Sequence, residues 1–479
     1  MRILCGLLCG TLLAAAGPAT VIDAARKKDH VALAALIKAG ANVNEREPDG
    51  TTALHYASHY DDVQSVRLLL IAGANAGAAN DYGVTAISEA AATGDASVIE
   101  QLLNFGADPN TTSPEGETAL MTASRAENAA AVRLLLEHGA IVDRREKWKG
   151  QTALMWAAAE NRAEAARLLM AHGADVNARS AAVIPEIKRP ANGNLVSEQP
   201  RGELTPLLFA AREGSLEAAP VLVQAGANPD APDPDGITPV IMAIINGHYD
   251  VAALLLTSGA DPNLADKWGR SPVYAAIDMN TLEPSTTRPS PKTANQHTAI
   301  DVARIALERG ANPNPRLKEA TPGRGIPDGP DPLLRAGTTP FIRAAKTGDI
   351  RAMKLLLEYG ADPLLTTDQN VNALMAAAGQ GWRYDDSQIA EADALESVKL
   401  CVQLGLDVNA VNKRSETALH GAADRGANHI VEFLASVGAR MDIRDDRGQT
   451  PLDVATGGEV RGHPGYPATA ALLQTLSAK

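Results

Sequence analysis

One spacing constrains this chain more than any other feature. The pair Gly-Ala stands at 40, 73, 106, 139, 173, 226, 259, 310, 360 and 438, and Gly405-Leu406 takes the same place. From 40 to 173 the steps are 33, 33, 33 and 34. A second series, Thr or a small polar substitute, falls at 52, 85, 118, 152, 205, 238, Ser271, 339, Asn372, 417 and 450. Its steps return to 33 or 34 after each interruption. Two independent series with one period exclude a single irregular core and point to stacked copies of one supersecondary unit.

Each unit reads alike. In Gly116-Glu117-Thr118-Ala119-Leu120 the Thr hydroxyl is placed to accept from a free backbone N–H and so to open a helix. Ala and Leu at helical spacing follow, then a short turn with Gly and Asp or His, as at Gly94-Asp95, Gly247-His248 and Gly348-Asp349. A second helix carries a Leu-rich run such as Val132 to Leu136, and Gly139 ends it, because glycine tolerates the left-handed cap. Composition agrees. The chain is 45% hydrophobic but holds only 4 Trp, 8 Tyr and 4 Phe in 479 residues. Thin layers of Ala and Leu need few rings, whereas a single large core draws on many. At this hydrophobicity disorder is not expected.

The stretches Thr52-Ala53-Leu54-His55-Tyr56-Ala57 and Thr417-Ala418-Leu419-His420-Gly421-Ala422 carry a family likeness. So do closings such as Gly106 to Asn110 and Gly173 to Asn177. The chain resembles the ankyrin repeat family, from about Val21 to its C-terminus. The resemblance implies an all-α solenoid of helix-turn-helix units joined by β-hairpin-like fingers. Twelve units are expected, the two atypical ends included; Val21 to Ala41 has no Thr-Ala-Leu opening, and the last unit has no Gly-Ala closing. The match is specific for the fold and nearly silent on the partner.

The interruptions set the organisation. Residues 1–19 read as a secretory leader: Arg2, an apolar and small-residue run from Ile3 to Ala16, then Gly17-Pro18, with cuts expected after Ala16 or Ala19. The run is short for a bilayer span. Repeats occupy 20–179, and a finger insertion fills 180–203. Repeats resume over 204–279, and 280–336 is a repeat interrupted twice, in Asn280 to His297 and Pro315 to Ala336. Residues 337–479 complete the array, with an insertion near 381–393 and a terminal cap. Such loops are either functional or merely tolerated.

Little in the chain suggests chemistry. A phosphate loop of Gly-x-x-x-x-Gly-Lys-Ser/Thr type and a His-Glu-x-x-His metal motif are both missing. Removal of a leader holding Cys5 and Cys9 would leave Cys401 alone, so no internal disulfide or thiolate zinc site is expected. The family resemblance makes His55 and His420 bridges to neighbouring loop backbone. His138 and His172 precede closing glycines at helix ends, where positive charge is favoured. His248 sits in a helix-helix turn, and neither His463 nor Asp385-Asp386 has converging acids and bases around it. With 57 acids against 44 bases, a net charge of −13 argues against nucleic acid as the main partner. Neither cofactor nor metal is expected.

The resemblance also implies a concave surface lined by fifth and eighth positions counted from each Thr. On it lie Tyr56 and His59, Arg125, Trp156, Phe209 and Arg212, Met242 and Ile245, and Arg343 and Lys346. The alternative for Trp156 and Phe209 is cover by the 180–203 insertion. At fingertips stand Tyr82, Trp148 and Trp268, either as contacts or as caps on the next finger. These thirteen residues are the expected partner-binding set, since aromatic and Arg side chains dominate contact energy. The expected role is a non-catalytic protein-binding scaffold of the periplasm or extracellular space, monomeric and without a membrane span after leader cleavage. A secreted effector or inhibitor is the alternative, and an enzyme or metal-binding protein a third class.

Overall fold

A computed structural model describes residues 20–94, 96–183, 201–281, 295–321, 335–381, 390–457 and 465–478. The expected leader 1–19, His463, Asp385-Asp386 and the centres of all four insertions lie outside the described residues. The chain divides into two compact bodies, Met1–Val183 and Ile184–Lys479.

In the first body five helix pairs follow one another. They are Val21–Arg26 with His30–Lys38, Ala53–His59 with Val63–Ile71, Ala86–Thr93 with Ala96–Asn104, Ala119–Arg125 with Ala129–Glu137, and Ala153–Ala159 with Ala163–Ala171. The second body holds seven pairs. They are Pro206–Glu213 with Ala218–Gln224, Pro239–Ile245 with Tyr249–Thr257, Pro272–Asn280 with Ala299–Glu308, Pro340–Lys346 with Ile350–Glu358, Ala373–Ala378 with Glu391–Gln403, Ala418–Arg425 with Asn428–Ser436, and Pro451–Thr456 with Pro467–Ser477. These are the twelve expected units. Extended structure among the described residues is confined to fingers and to two two-residue strands, Ala182–Val183 and Arg201–Gly202.

The sequence marks work locally as their chemistry requires. The Thr118 hydroxyl accepts from Met121 N–H at 3.2 Å, and Thr205 and Thr238 do the same for Leu208 and Ile241. In five units of the second body a proline follows the cap, where its missing N–H removes nothing. The first unit also has such a cap, which the sequence reading missed: Thr20 accepts from Asp23 N–H at 3.0 Å. Within each body the first helices of successive units pack on one another, and many second helices do likewise. The buried side chains between them are mostly Ala, Leu, Val and Ile.

Polar staples join the units. Asn110, four residues after its closing Gly106, donates to Gly139 O at 3.0 Å and accepts from Ile141 N–H at 2.8 Å. Asn44, Asn263, Asn314 and Asn409 repeat both bonds one unit apart. The closing Asn therefore satisfies backbone groups that the helix end of the next unit leaves open. Fingers are stitched by single backbone bonds, such as Lys147 N–H to Glu115 O at 2.7 Å and Lys267 N–H to Asp235 O at 2.9 Å.

Three insertion edges are ordered. Residues Asn295 to His297 are pinned to the preceding unit: Asn295 donates to Gly247 O, and Asp250 accepts from both Gln296 and His297 N–H. Leu317 and Thr338 pair their backbones at 3.0 Å, forming the stem of the long finger. The insertion expected at 381–393 is partly helix, because the second helix of that unit starts at Glu391 and runs 13 residues. The described residues include no helix long and apolar enough to cross a membrane.

Candidate partner-binding surface

The expected histidine roles are visible first. His55 Nε2 meets Val84 O at 3.0 Å, and its Nδ1 meets Thr52 N–H at 3.2 Å. His420 bridges Gln449 O and Thr417 N–H in the same way. Burial pushes the His55 imidazole below its ordinary range, so the ring sits neutral between backbone groups. His138 and His172 turn Nδ1 to the carbonyls of Leu134 and Leu168 at the ends of their helices. Burial likewise lowers His248, whose ring lies over Gly214 of the preceding unit. The Cys401 thiol is buried and pushed up to about 12, which leaves it inert as a nucleophile.

In the first body the expected contact residues are open or half-open. Tyr82 is 67% exposed and Trp148 76%. Tyr56 and Trp156 are half-buried, and His59 and Arg125 are exposed. Tyr56 donates to Glu47 at 2.6 Å and accepts from Arg26 at 2.8 Å, with the Arg26 guanidinium 4.4 Å from the ring centre. The Glu47 bond raises the Tyr56 phenol above its usual range. His59 pairs with Glu89 at 2.8 Å and meets Tyr60 edge-on at 5.1 Å. Arg125 lies 4.9 Å over Trp156, whose indole N–H donates to Gln151 at 2.9 Å. A shallow cleft of about 240 Å³ runs between the third and fourth units, lined by Ser88, Glu89, Thr112, Glu117, Thr122 and Arg125 among others.

The second body corrects five of the thirteen expectations. Phe209, Met242, Trp268, Arg343 and Lys346 are buried and present almost no side-chain surface. Phe209 lies under the Arg212 guanidinium at 4.8 Å. Met242 has Asn246 against its sulfur at 3.5 Å. Trp268 is a finger cap, not a contact: Lys267 and Arg270 cover its ring at 4.5 and 5.8 Å, and Lys318 N–H donates to its carbonyl. Arg343 heads the large fully buried side chains among the described residues and is held by Asp278 at 2.6 Å and by Thr281 at 3.4 Å. Asp278 stands at the position that Ile245 holds in Pro239–Ile245, and Thr281 is the C-cap of Pro272–Asn280. Lys346, one helical turn further on, is closed in with it. Arg212 and Ile245 remain half-buried, and Arg212 pairs with Glu213 at 2.8 Å.

Family models for ankyrin repeats match residues 21–113, 87–180, 187–283 and 387–464, and a single-repeat model matches 336–368. The chain belongs to the ankyrin repeat family. A putative ankyrin repeat protein of Acanthamoeba polyphaga mimivirus is 36% identical over 63 residues, or 13% of this chain. The mouse (Mus musculus) ankyrin repeat and SOCS box protein 16 is 33% identical over 101 residues, or 21% of this chain. These matches span only 9% and 21% of the two relatives' own lengths. Among solved structures, the human ASB11 ankyrin repeat domain aligns with a TM-score of 0.42 at 24% identity, covering 50% of this chain and 98% of that one. Ankyrin repeats are protein-interaction modules, and that much carries over to this array.

One set of residues in this ankyrin array escaped the sequence reading as a set. The eighth position of one unit meets the fifth position of the next: His59 with Glu89, Arg125 with Trp156, and Asp278 with Arg343. Both series were legible, but each was read down its own column. Complementary chemistry along the diagonal was the signal that pairs them.

Proposed function

We propose that this chain is a non-catalytic protein-binding scaffold that works after export, in the periplasm or outside the cell. It binds its partner on the first-helix and finger surface of the Met1–Val183 body. The observation that carries the reading is the exposure of Trp148 and Tyr82 at fingertips, together with the half-buried Trp156 and the exposed Arg125. Large rings held open on rigid elements are favoured contact anchors, because little entropy is lost when they are covered. Export is supported by the composition of residues 1–19.

Two measurements test the reading. A photo-crosslinking residue at Tyr82 or His59 should capture a protein in the native host that the same residue at Arg133, on a second helix, does not. Equal capture from both positions would remove the surface assignment. Fractionation with N-terminal sequencing should find a mature chain starting near Gly17 or Thr20 outside the cytoplasm; an intact leader in the cytoplasm would end the export reading.

A further inference from the structure

The finger from Arg144 to Gln151 differs from every other finger in charge. Arg144, Arg145, Lys147 and Lys149 are all exposed, in a chain of net charge −13. Among the described residues, none of the four has a carboxylate within ion-pair distance. Arg145 donates to the backbone carbonyls of Gly150 and Arg179, and Lys147 to Pro114 O at 3.0 Å. Lys149 lies 4.2 Å over the Trp148 ring. Elsewhere many of the arginines are neutralised, as Arg26 is by Glu47, Arg270 by Asp266, Arg343 by Asp278 and Arg440 by Asp442.

The acid within this finger is occupied. Glu146 is buried, and its carboxylate accepts the N–H groups of Trp148, Lys149 at 2.9 Å and Gln151 at 2.8 Å. In other fingers a shorter side chain ties the turn, as Asp266 does for Trp268 and Arg270. Here one extra residue and a longer carboxylate perform the same closure. The anion is thus turned inward and satisfied by backbone donors, and the cations and the Trp148 ring face outward. At the finger's root Arg125 covers Trp156, and among the described residues it too has no carboxylate within ion-pair distance.

We infer that this finger is a docking site for an acidic protein segment, one carrying Asp or Glu beside an aromatic or aliphatic side chain. The inference rests on the scaffold reading and names its partner class. Uncompensated cations select the carboxylates, and the Trp148 and Trp156 rings give the apolar side chain a surface to cover. The anchor is rigid, because three hydrogen bonds to Glu146 hold the tip in shape before a partner arrives.

Selection of random twelve-residue peptides displayed on phage against the whole chain tests this. Enriched peptides should be acidic with an interposed apolar residue. Their affinity should fall by about tenfold in Trp148→Ala and in the double variant Lys147→Glu, Lys149→Glu, as for a central contact. Binding should also weaken with salt, since exposed charges are screened over about 8–10 Å. Arg133→Glu, an exposed change away from the fingers, should leave it unchanged. Absence of enrichment, enrichment of basic or uncharged peptides, or affinity indifferent to the finger variants overturns the inference. So does salt-sensitive sedimentation of the chain with phosphatidylglycerol vesicles without peptide binding, which would make the finger a lipid contact. A host partner crosslinked through Tyr82 or His59 whose capture survives the charge reversals would leave the scaffold standing and remove this site alone.

Discussion

The two bodies use the same repeat position in opposite ways. In the first, the fifth-position residues Tyr56, Glu89, Thr122 and Trp156 are all half-buried. In the second, Phe209, Met242, Ala275, Arg343, Ala376 and Gly421 are all buried. The backbone units match, with Thr, Ser271 or Asn372 capping the first helices and glycines closing all but the last unit. Exposure therefore does not follow from the place of a residue in its unit; it depends on which side chains neighbouring units lay across it. Arg343 shows this directly, since Asp278 and Thr281 from the preceding helix close over it.

The sharpest way to break the comparison is to remove that arginine. Arg343→Ala leaves Asp278 buried without its principal cation, and such a loss costs about 3–5 kcal/mol. Urea unfolding should show a large fall in midpoint for the second body, while Arg125→Ala, at an exposed site, should shift nothing measurable. A fall of similar size in both variants would mean that the first body's surface is as structural as the second's.

The two fingertip tryptophans sharpen it next. Trp268 is 6% exposed and Trp148 76%. Truncating a buried large aromatic costs about 3 kcal/mol or more, whereas a surface change away from special features stays within about 0.5 kcal/mol. Trp268→Ala should therefore unfold well before Trp148→Ala in a thermal melt. Equal melting temperatures would show that Trp268 does not act as a cap.

The fold was almost wholly legible, because each mark has one physical job. Thr accepts at a helix start, Gly supplies the left-handed end, and Asn staples one unit to the next. Burial of individual side chains was not legible, because it is a property of three neighbouring units together. Tyr82 and Trp268 both precede a finger glycine, yet one is open and the other covered by Lys267 and Arg270. Scarcity of rings does not reserve them for a partner. Tyr274 and Phe341, fully buried in the second body, show that some of the few rings are core. The Glu146 closure was hidden for another reason: a carboxylate among four cations reads as a solvated charge run until its backbone donors are seen.

Glycines separate along a different line, and the expected effect is smaller. Gly139 and Gly269 have nearly the same left-handed geometry, with φ of +84° and +83°. An added Cβ meets nothing within 4 Å at Gly139, but at Gly269 it meets Arg316 O at 2.7 Å and Lys318 N at 2.9 Å. Gly139→Ala should cost about 1 kcal/mol, the strain of the conformation alone. Gly269→Ala should cost clearly more, because the next finger must retreat and its bond to Trp268 O with it. Chemical denaturation of the two variants decides it; equal costs would show that the fingers give way freely.

The smallest effect is one the two bodies should share. His55 in the first and His248 in the second are both held below the ordinary imidazole range by burial. A depressed folded value means that the unfolded chain binds the proton more tightly. The stabilisation is therefore full above the unfolded value of about 6.5 and is lost as pH falls through each folded value. Stability measured by urea at pH 7.5 and again near pH 5 should drop for the parent chain, and drop less for His55→Asn. The first body should lose more, because the His55 imidazole, between Thr52 and Val84, must take up a proton while facing the Thr52 N–H. A drop that His55→Asn leaves unaltered would assign the acid sensitivity to other imidazoles such as His248; Asp62 and Asp250, whose folded values are lowered, keep their stabilisation until the pH falls below the ordinary Asp value of about 3.9.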